Sequence, residues 1–412
     1  MSFSRYPKYN PSNVEWLGEV PEHWDVLALK KSFRIVGGST PKSDTEAFWD
    51  GEILWATPGD LSKRDSVYIN DTQRKITADG LASCGTTLVP AKSIILSTRA
   101  PIGSLAIAEL AMCTNQGCKS LVPSDGTNTE YFAHLLSVST AELNVRGKGT
   151  TFLEISGDEL GAFKTPVPPL AEQTAIATFL DKETARIDEL VAGQRRLMEL
   201  LNEQIISLVL SSMHTLETKE LRLSEAAETI SRPVIQKPDE SYTRIGLFNR
   251  GRGLFHKDAA DSDDMGESDF FWIEEGDLII SGQFAWEGAV ALADKEDTGC
   301  VVSHRYPVIR GKEGIAITEY LLGLLCTKHG DFLLNENSRG AAGRNRPLNI
   351  SSLMKEKIPV PKFEIQQAVG RAVHARKTLF KAIARAIDLL QERRAALIST
   401  AVTGQIDVRS AT

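Results

Sequence analysis

Residues 164–176 read KTPVPPLAEQTAI, and residues 357–369 read KIPVPKFEIQQAV. Lysine, the Pro-Val-Pro triplet and a glutamine recur at a constant offset of 193. Upstream, Arg146-Gly147 matches Arg339-Gly340 at the same offset, and Thr129-Glu130-Tyr131 matches Thr318-Glu319-Tyr320 at 189. Ile94-Ile95-Leu96-Ser97 resembles Leu278-Ile279-Ile280-Ser281 at 184, and Leu27-Ala28-Leu29 resembles Leu221-Arg222-Leu223 at 194. The common order and near-common offset describe one unit written twice, with loop insertions between matched elements. A period near 190 is far too long for a solenoid.

The stretch after each Pro-Val-Pro has a helical pattern. Stepping 4,3,4,3 from Ile176 gives Ile176, Leu180, Glu183, Ile187, Leu190, Gln194, Leu197, Leu201, Gln204 and Leu208, seven of ten apolar. The same step from Val369 gives Val369, Val373, Arg376, Phe380, Ile383, Ile387, Leu390, Arg394 and Leu397, seven of nine apolar. A sustained seam at 3.5-residue spacing predicts a coiled coil. The alternative is two amphipathic helices, each packed on its own domain. The prolines stop what precedes and set the start of each helix, and Thr403-Gly404 supplies a stop at the end. Each helix should run about 35 residues, or ~50 Å.

The expected fold class is α+β: two duplicated domains joined by two long antiparallel helices that form a coiled-coil spacer. The expected boundaries are 1–165 for the first domain, 166–215 for the first helix, 216–357 for the second domain, and 358–412 for the second helix and tail. Short β-like runs such as Ser93–Leu96 and Gly276–Ile280, and helical stretches at Thr129–Leu143 and Thr318–Leu334, predict a small twisted sheet with helices near each domain's end. Strand order cannot be read from the pattern.

Composition narrows the functional classes. The 412 residues contain 47 Lys and Arg against 54 Asp and Glu, a net charge of −7. No uncharged apolar run reaches 18 residues, so no membrane span is expected. The start, MSFSRYPKYNPSNVEW, has no apolar core of a signal peptide. Five cysteines without a CxxC pair fit reduced thiols in a cytoplasmic protein, with Cys113 and Cys118 a weak candidate for a metal pair.

The equipment of an enzyme is missing. No GxxxxGK[ST] occurs: the loop at Gly147-Lys148-Gly149-Thr150 would need a glycine at position 142, which is Glu142. There is no HExxH and no GxSxG. Neither Asn10-Pro11-Ser12 nor Asn345-Arg346-Pro347 supplies the Asn/Asp-Pro-Pro-aromatic motif of an adenine or cytosine methyltransferase. Pro238-Asp239 is followed by no Asp/Glu-x-Lys, so the carboxylates of a Mg²⁺-dependent nuclease are not assembled. His134 and His304 read as structural or solvated side chains. The expectation is no catalytic residue and no metal or cofactor bound by this chain.

Glycine-rich segments instead carry side chains of the types that read DNA. In the first domain these are Lys63, Arg64, Arg74, Lys75, Arg99, Asn115, Gln116, Arg146 and Lys148. In the second they are Arg250, Arg252, Gln283, His304, Arg305, Arg339, Arg344, Asn345 and Arg346. Arg and Lys pair with guanine O6/N7, Asn and Gln with adenine N6/N7, and cations neutralise phosphates. Any one of them taken alone fits a solvated surface group. Residues 337–347 hold three arginines and no acid. By segment the net charge is −3 for 1–165, −3 for 166–215, −6 for 216–357 and +5 for 358–412. Nine acids and no Lys or Arg lie within 258–277, which leaves the rest of the second domain at +3.

The whole pattern resembles the specificity subunit of a type I restriction–modification system (the HsdS type). Three features carry the resemblance: Val14-Glu15-Trp16-Leu17-Gly18-Glu19-Val20-Pro21-Glu22-His23-Trp24, the two Pro-Val-Pro…Gln junctions, and the ending Leu397–Arg409, LISTAVTGQIDVR. The second domain departs from it, since Leu216–Leu223 has no tryptophan-rich opening. The resemblance implies a non-catalytic subunit whose two target-recognition domains each read half of a bipartite double-stranded DNA target. It implies that the helices fix the spacing and dock two methyltransferase subunits, with motor–nuclease subunits added. S-adenosylmethionine, ATP and Mg²⁺ would then belong to those partners. The competing classes are a coiled-coil adaptor without DNA readout and a stand-alone DNA-modifying enzyme with unrecognised motifs.

Overall fold

The structure is a computed structural model that describes residues 3–62, 66–99, 101–148, 153–266, 268–340 and 346–410. The chain forms two compact units, Met1–Val191 with Asp388–Thr412, and Ala192–Ile387.

Each unit is built on the same sheet. In the first, the strand order is Phe33–Gly37, Cys118–Pro123, Ile94–Ser97, Leu105–Ala108 and Tyr68–Ile69, with only the last pair parallel. In the second, it is Ala227–Ile230, Val308–Gly311, Leu278–Ile280 and Val290–Leu292, all antiparallel. The central strands are apolar throughout, because Ile94–Leu96 and Leu278–Ile280 are buried on both faces. The first unit adds a three-stranded sheet of Cys113–Thr114, Trp49–Ala56 and Lys75–Ile76.

The repeated motif explains itself in this frame. Lys164–Val167 pairs antiparallel with Asp25–Ala28, and Lys357–Val360 pairs antiparallel with Lys219–Arg222. Proline is tolerated because these are two-stranded ladders with free edges. Tyr131 donates its hydroxyl proton to the Pro166 carbonyl at 3.1 Å, and Tyr320 to that of Pro359 at 2.7 Å. Gln173 is 1% exposed; its amide donates to the Pro168 carbonyl at 2.8 Å and accepts from the Asn128 N–H at 2.9 Å. Gln366, also buried, donates to the Pro361 and Ile315 carbonyls and accepts from the Ile317 N–H at 3.0 Å. The glutamine thus satisfies backbone groups that the prolines leave open.

The helices are longer than expected: Leu170–Met213, 44 residues, and Phe363–Val402, 40 residues. The second stops before Gly404, whose φ is +76° and whose hydrogen faces the Pro21 ring. Within the first unit, Ile176, Ala177, Phe179 and Leu180 share a core with Ile398, Ala401 and Val402, and Asp188 pairs with Arg394. Within the second, Ile205, Val209 and Met213 share a core with Val369 and Val373, and Asn202 meets Arg376. In both units the rising positions of one helix face falling positions of the other, so the pairing is antiparallel.

The seam of the second helix holds: Val369, Val373 and Ile383 are buried, and Phe380, Ile387, Leu390 and Leu397 are half-buried. In the first helix Ile176, Leu180 and Ile187 are buried and Leu201 is half-buried, but Leu190, Leu197 and Leu208 are exposed at 49%, 43% and 39%. The buried positions there are Val191, Ile205 and Val209. A strict seven-residue count drifts by about 20° per heptad against a 3.6-residue helix. Leucines on several faces hid the slip.

The opening and closing motifs meet inside the first unit. The Tyr9 hydroxyl donates to the Gly404 carbonyl at 2.8 Å, Asp407 N–H to the Ser4 carbonyl at 2.8 Å, and Gln405 to the Glu19 carbonyl at 3.1 Å. Glu172, 6% exposed, accepts from Tyr6 and meets His23 at 2.8 Å.

Candidate nucleic-acid interface

In the second unit the central strand Leu278–Ile280 runs into the loop 282–288. Gly282 N–H donates to the Arg305 carbonyl at 2.7 Å, and its own carbonyl accepts from the Leu348 N–H at 2.8 Å. A methyl on Gly282 would sit 2.3 Å from the Arg305 oxygen, so only glycine lets the strands close here. Around this junction lie Gln283, Arg305 and Arg346, all sequence-predicted, with His304 next in chain. The Arg346 guanidinium lies 5.4 Å from the Trp286 ring centre. The Trp286 Nε1 donates to the Gln283 carbonyl at 3.1 Å, and its carbonyl accepts from Asn335 at 3.2 Å. Ser338 pairs with Leu348 across an antiparallel bridge, which brings Arg339 to the same border; Arg339 bonds Glu336 at 2.5 Å.

The first unit repeats the junction. Thr98 N–H donates to the Gly117 carbonyl at 2.9 Å, and the Thr98 carbonyl accepts from Ile155 N–H at 3.0 Å. Arg99 follows Thr98, Asn115 and Gln116 precede Gly117, and Lys148 bridges to Glu154. Five predicted residues, Arg99, Asn115, Gln116, Arg146 and Lys148, therefore gather about the same point of the fold. Here the cations carry local counter-charges: Arg99 with Glu154 at 2.9 Å, Arg146 with Glu142 at 3.2 Å, Lys148 with Glu159 at 2.6 Å. The Lys148 ammonium holds the Glu159 carboxyl below the usual carboxylate range. The Asn115 side-chain Oδ1 accepts from Gly117 N–H, and the Gln116 side-chain oxygen accepts from the Thr40 hydroxyl.

Other predicted residues sit elsewhere. Arg74 stacks on Trp49 at 3.4 Å in the three-stranded sheet, beside Lys75, which pairs with Asp71 at 3.1 Å. Arg250 and Arg252 lie on the hairpin of Ile245–Leu247 and Leu254–His256. That hairpin leans on the 282–288 loop through Arg250 N–H to the Glu287 carbonyl and Gly251 N–H to the Gly288 carbonyl. Lys63, Arg64, Arg344 and Asn345 lie outside the described residues. Sequence reasoning missed Trp49, Trp55 and Trp286, which lie against arginines; for Trp286 the signal was an aromatic within a glycine-bounded loop, while Trp49 and Trp55 sit on the strand Trp49–Ala56.

The acidic run 258–277 is partly spent internally. Asp277 is fully buried and takes Arg232 at 2.8 Å and Arg310 at 2.5 Å, with Glu274 against Arg232 at 2.9 Å. Among the described residues no group of three His, Cys, Asp or Glu is placed to hold a metal ion. Burial pushes the Cys113 thiol up to about 11 and that of Cys118 to about 12, and Cys113 bonds the Leu54 carbonyl. Among the described residues no helix is long and apolar enough to cross a membrane.

The family described as type I restriction modification DNA specificity domain matches residues 21–197 and again 217–391. The chain is 34% identical over 194 residues to the MjaIX type I restriction enzyme specificity subunit of Methanocaldococcus jannaschii, covering 47% of this chain and 44% of that protein. It is 26% identical over 205 residues to the EcoR124I/EcoR124II specificity subunit of Escherichia coli, covering 48% and 47%. The matched part spans about half the length of these relatives. Among solved structures, a chain from a study of complex assembly and conformational transition of the type I system superposes with a TM-score of 0.60, 16% identity, and coverage of 93% and 98%. The S subunit from M. genitalium superposes with a TM-score of 0.50, 15% identity, and coverage of 92% and 96%. At these identities the structural likeness is one of fold.

Proposed function

The chain belongs to the type I restriction–modification DNA specificity family, and from that premise we propose that it is the non-catalytic subunit that reads a bipartite double-stranded DNA target. Each unit reads one half, using the junction beyond its central strand. The observation that carries this is the repetition of that junction: the same three chain segments, joined by the same two backbone hydrogen bonds, present basic and amide side chains in both units. A duplicated packing core alone would repeat the strands without repeating polar side chains at their ends.

The helices are proposed to fix the separation of the readers and to dock two methyltransferase subunits. At ~1.5 Å per residue, 44 and 40 residues are long enough to hold half-sites about one DNA turn apart, ~34–36 Å. Exposed Leu190, Leu197, Leu200 and Leu208 supply apolar surface for such a partner. S-adenosylmethionine, ATP and Mg²⁺ would act in the methyltransferase and motor–nuclease partners. A subunit of charge −7 neutralises few phosphates by itself, so most of the salt-dependent affinity would come from the assembly.

The test is co-expression with the cognate methyltransferase, followed by genome-wide mapping of methylated adenine. A two-part motif with a fixed unread gap is the expected outcome. Association without any methylated motif would favour an adaptor without DNA readout, and modification of DNA by the purified chain alone would favour an enzyme.

A further inference from the structure

We infer that Arg346 is the guanine-reading residue of the second unit and that Trp286 is its positioning residue; the inference rests on the DNA-reading function proposed above. Among the basic residues gathered at the two junctions, Arg346 stands apart in what holds it. Arg99, Arg146, Lys148 and Arg339 each hold a carboxylate at 2.5–3.2 Å. Neither Arg305 nor Arg346 has a carboxylate partner among the described residues, and of the two it is Arg346 that lies over an aromatic ring, its guanidinium 5.4 Å from the centre of an indole. An aromatic neighbour offers no acceptor oxygen, so the guanidinium N–H groups stay open to another partner. Those N–H groups form the planar fork that fits O6 and N7 of guanine.

The indole is itself fixed. Its Nε1 donates to the Gln283 carbonyl, the Trp286 carbonyl takes Asn335, and the loop closes through Gly288 at φ +68°. Arg346 and Trp286 lie on different segments, and the Leu348 N–H to Gly282 carbonyl bond at 2.8 Å staples the two together. The fork is thereby held before DNA arrives, so less side-chain entropy is lost on contact than for a free surface arginine. A phosphate contact needs no such preparation; a base contact gains from it.

The experiment uses the assembled complex with the methyltransferase and duplexes carrying its mapped target. In the native complex, replacing one guanine of one half-site with adenine should weaken binding by about 10- to 100-fold. Arg346→Ala and Arg346→Lys should both abolish discrimination at that one position and keep it at every other. Trp286→Ala should weaken the same discrimination, and Trp286→Phe, which keeps an aromatic face, should restore it. The methylated motif mapped in cells should relax at the same position. Full discrimination in Arg346→Ala, or an equal loss of affinity for all sequences, would overturn the inference while leaving the DNA-reading function standing. Absence of any methylated motif with the native chain would overturn both.

Discussion

The two units share one sheet order, one Pro-Val-Pro clamp and one junction beyond the central strand, yet they hold their charges differently. At the first junction each arginine or lysine leans on a glutamate from the same border. At the second, Arg346 leans on tryptophan. Deeper in, the contrast reverses. Ser93 precedes the first central strand, buried, with its hydroxyl donating to the Pro90 carbonyl. Asp277 holds the matching place in the second unit, with two arginines on it. One fold thus tolerates a neutral or an ionic solution at each site. What decides is whether the local sequence supplies every buried charge with partners.

The largest break in the comparison should come at that buried pair of positions. Asp277→Ala removes the buried carboxylate between Arg232 and Arg310 and leaves them the more exposed Glu274, at a cost of about 3 kcal/mol. Ser93→Ala removes one neutral hydrogen bond and should cost about 1 kcal/mol. Hydrogen exchange read strand by strand separates the two. Protection should fall at Leu278–Ile280 and Val308–Gly311 in the first variant, and barely change at Ile94–Ser97 in the second. Equal losses would mean that the acid is no more integral than the serine.

Next come the glutamines, where the units should behave alike. Gln173→Leu and Gln366→Leu each strand a backbone N–H and at least one carbonyl in the interior, at about 1–3 kcal/mol. Similar losses in the two units, measured by denaturation, would establish the clamp as the shared device of the duplication; a tolerant member would show that water replaces it there.

The same particulars explain what the sequence disclosed. The repeat was legible because one short motif recurs whole, and the structure shows what it encodes: proline carbonyls that need donors, a glutamine five residues on, and a Thr-Glu-Tyr helix whose tyrosine closes the clamp. Loops changed length between these marks, so offsets drifted from 184 to 194 while the order held. The junction residues were legible as types, and the structure gathers most of them. Their partners were not. Arg346 and Trp286 stand 60 positions apart, and Glu154 reaches Arg99 across 55, with no spacing rule to announce either pair. The phase of the first helix was hidden for a different reason: Leu190, Leu197, Leu200, Leu201 and Leu208 clothe several faces, and only contact decides which is buried.

A smaller effect, on function, is expected from the glutamates of the first junction. Glu154→Gln frees Arg99 from its carboxylate without removing the hydrogen-bonding shape. The assembled complex should bind any DNA a few-fold more tightly at low salt, with the salt dependence steeper by about one counterion. Selectivity for the first half-site should drop, because an arginine released from Glu154 serves phosphates as readily as bases. Among the described residues no carboxylate pairs with Arg346, so at the second half-site the equivalent gain is confined to Arg339, which Glu336→Gln would free. Titrations at several salt concentrations measure the slope directly.

The smallest effect should be at the helix contact of the first unit. Arg394 meets Asp188 with two bonds at 2.9 and 3.2 Å, but the side chains remain 38% and 55% exposed. An exposed pair of this kind contributes about 0.2–1 kcal/mol, less in salt. The corresponding contact of the second unit is buried: Arg376 is 8% exposed and takes Asn202 at 2.6 Å, and burial lowers its pKa. Asp188→Asn should therefore shift the denaturation midpoint slightly at low ionic strength and not at all in ~1 M salt, where the screening length falls to ~3 Å. A salt-independent loss above about 1 kcal/mol would place Asp188 with the buried contacts, and the two units would then secure their helices by the same means.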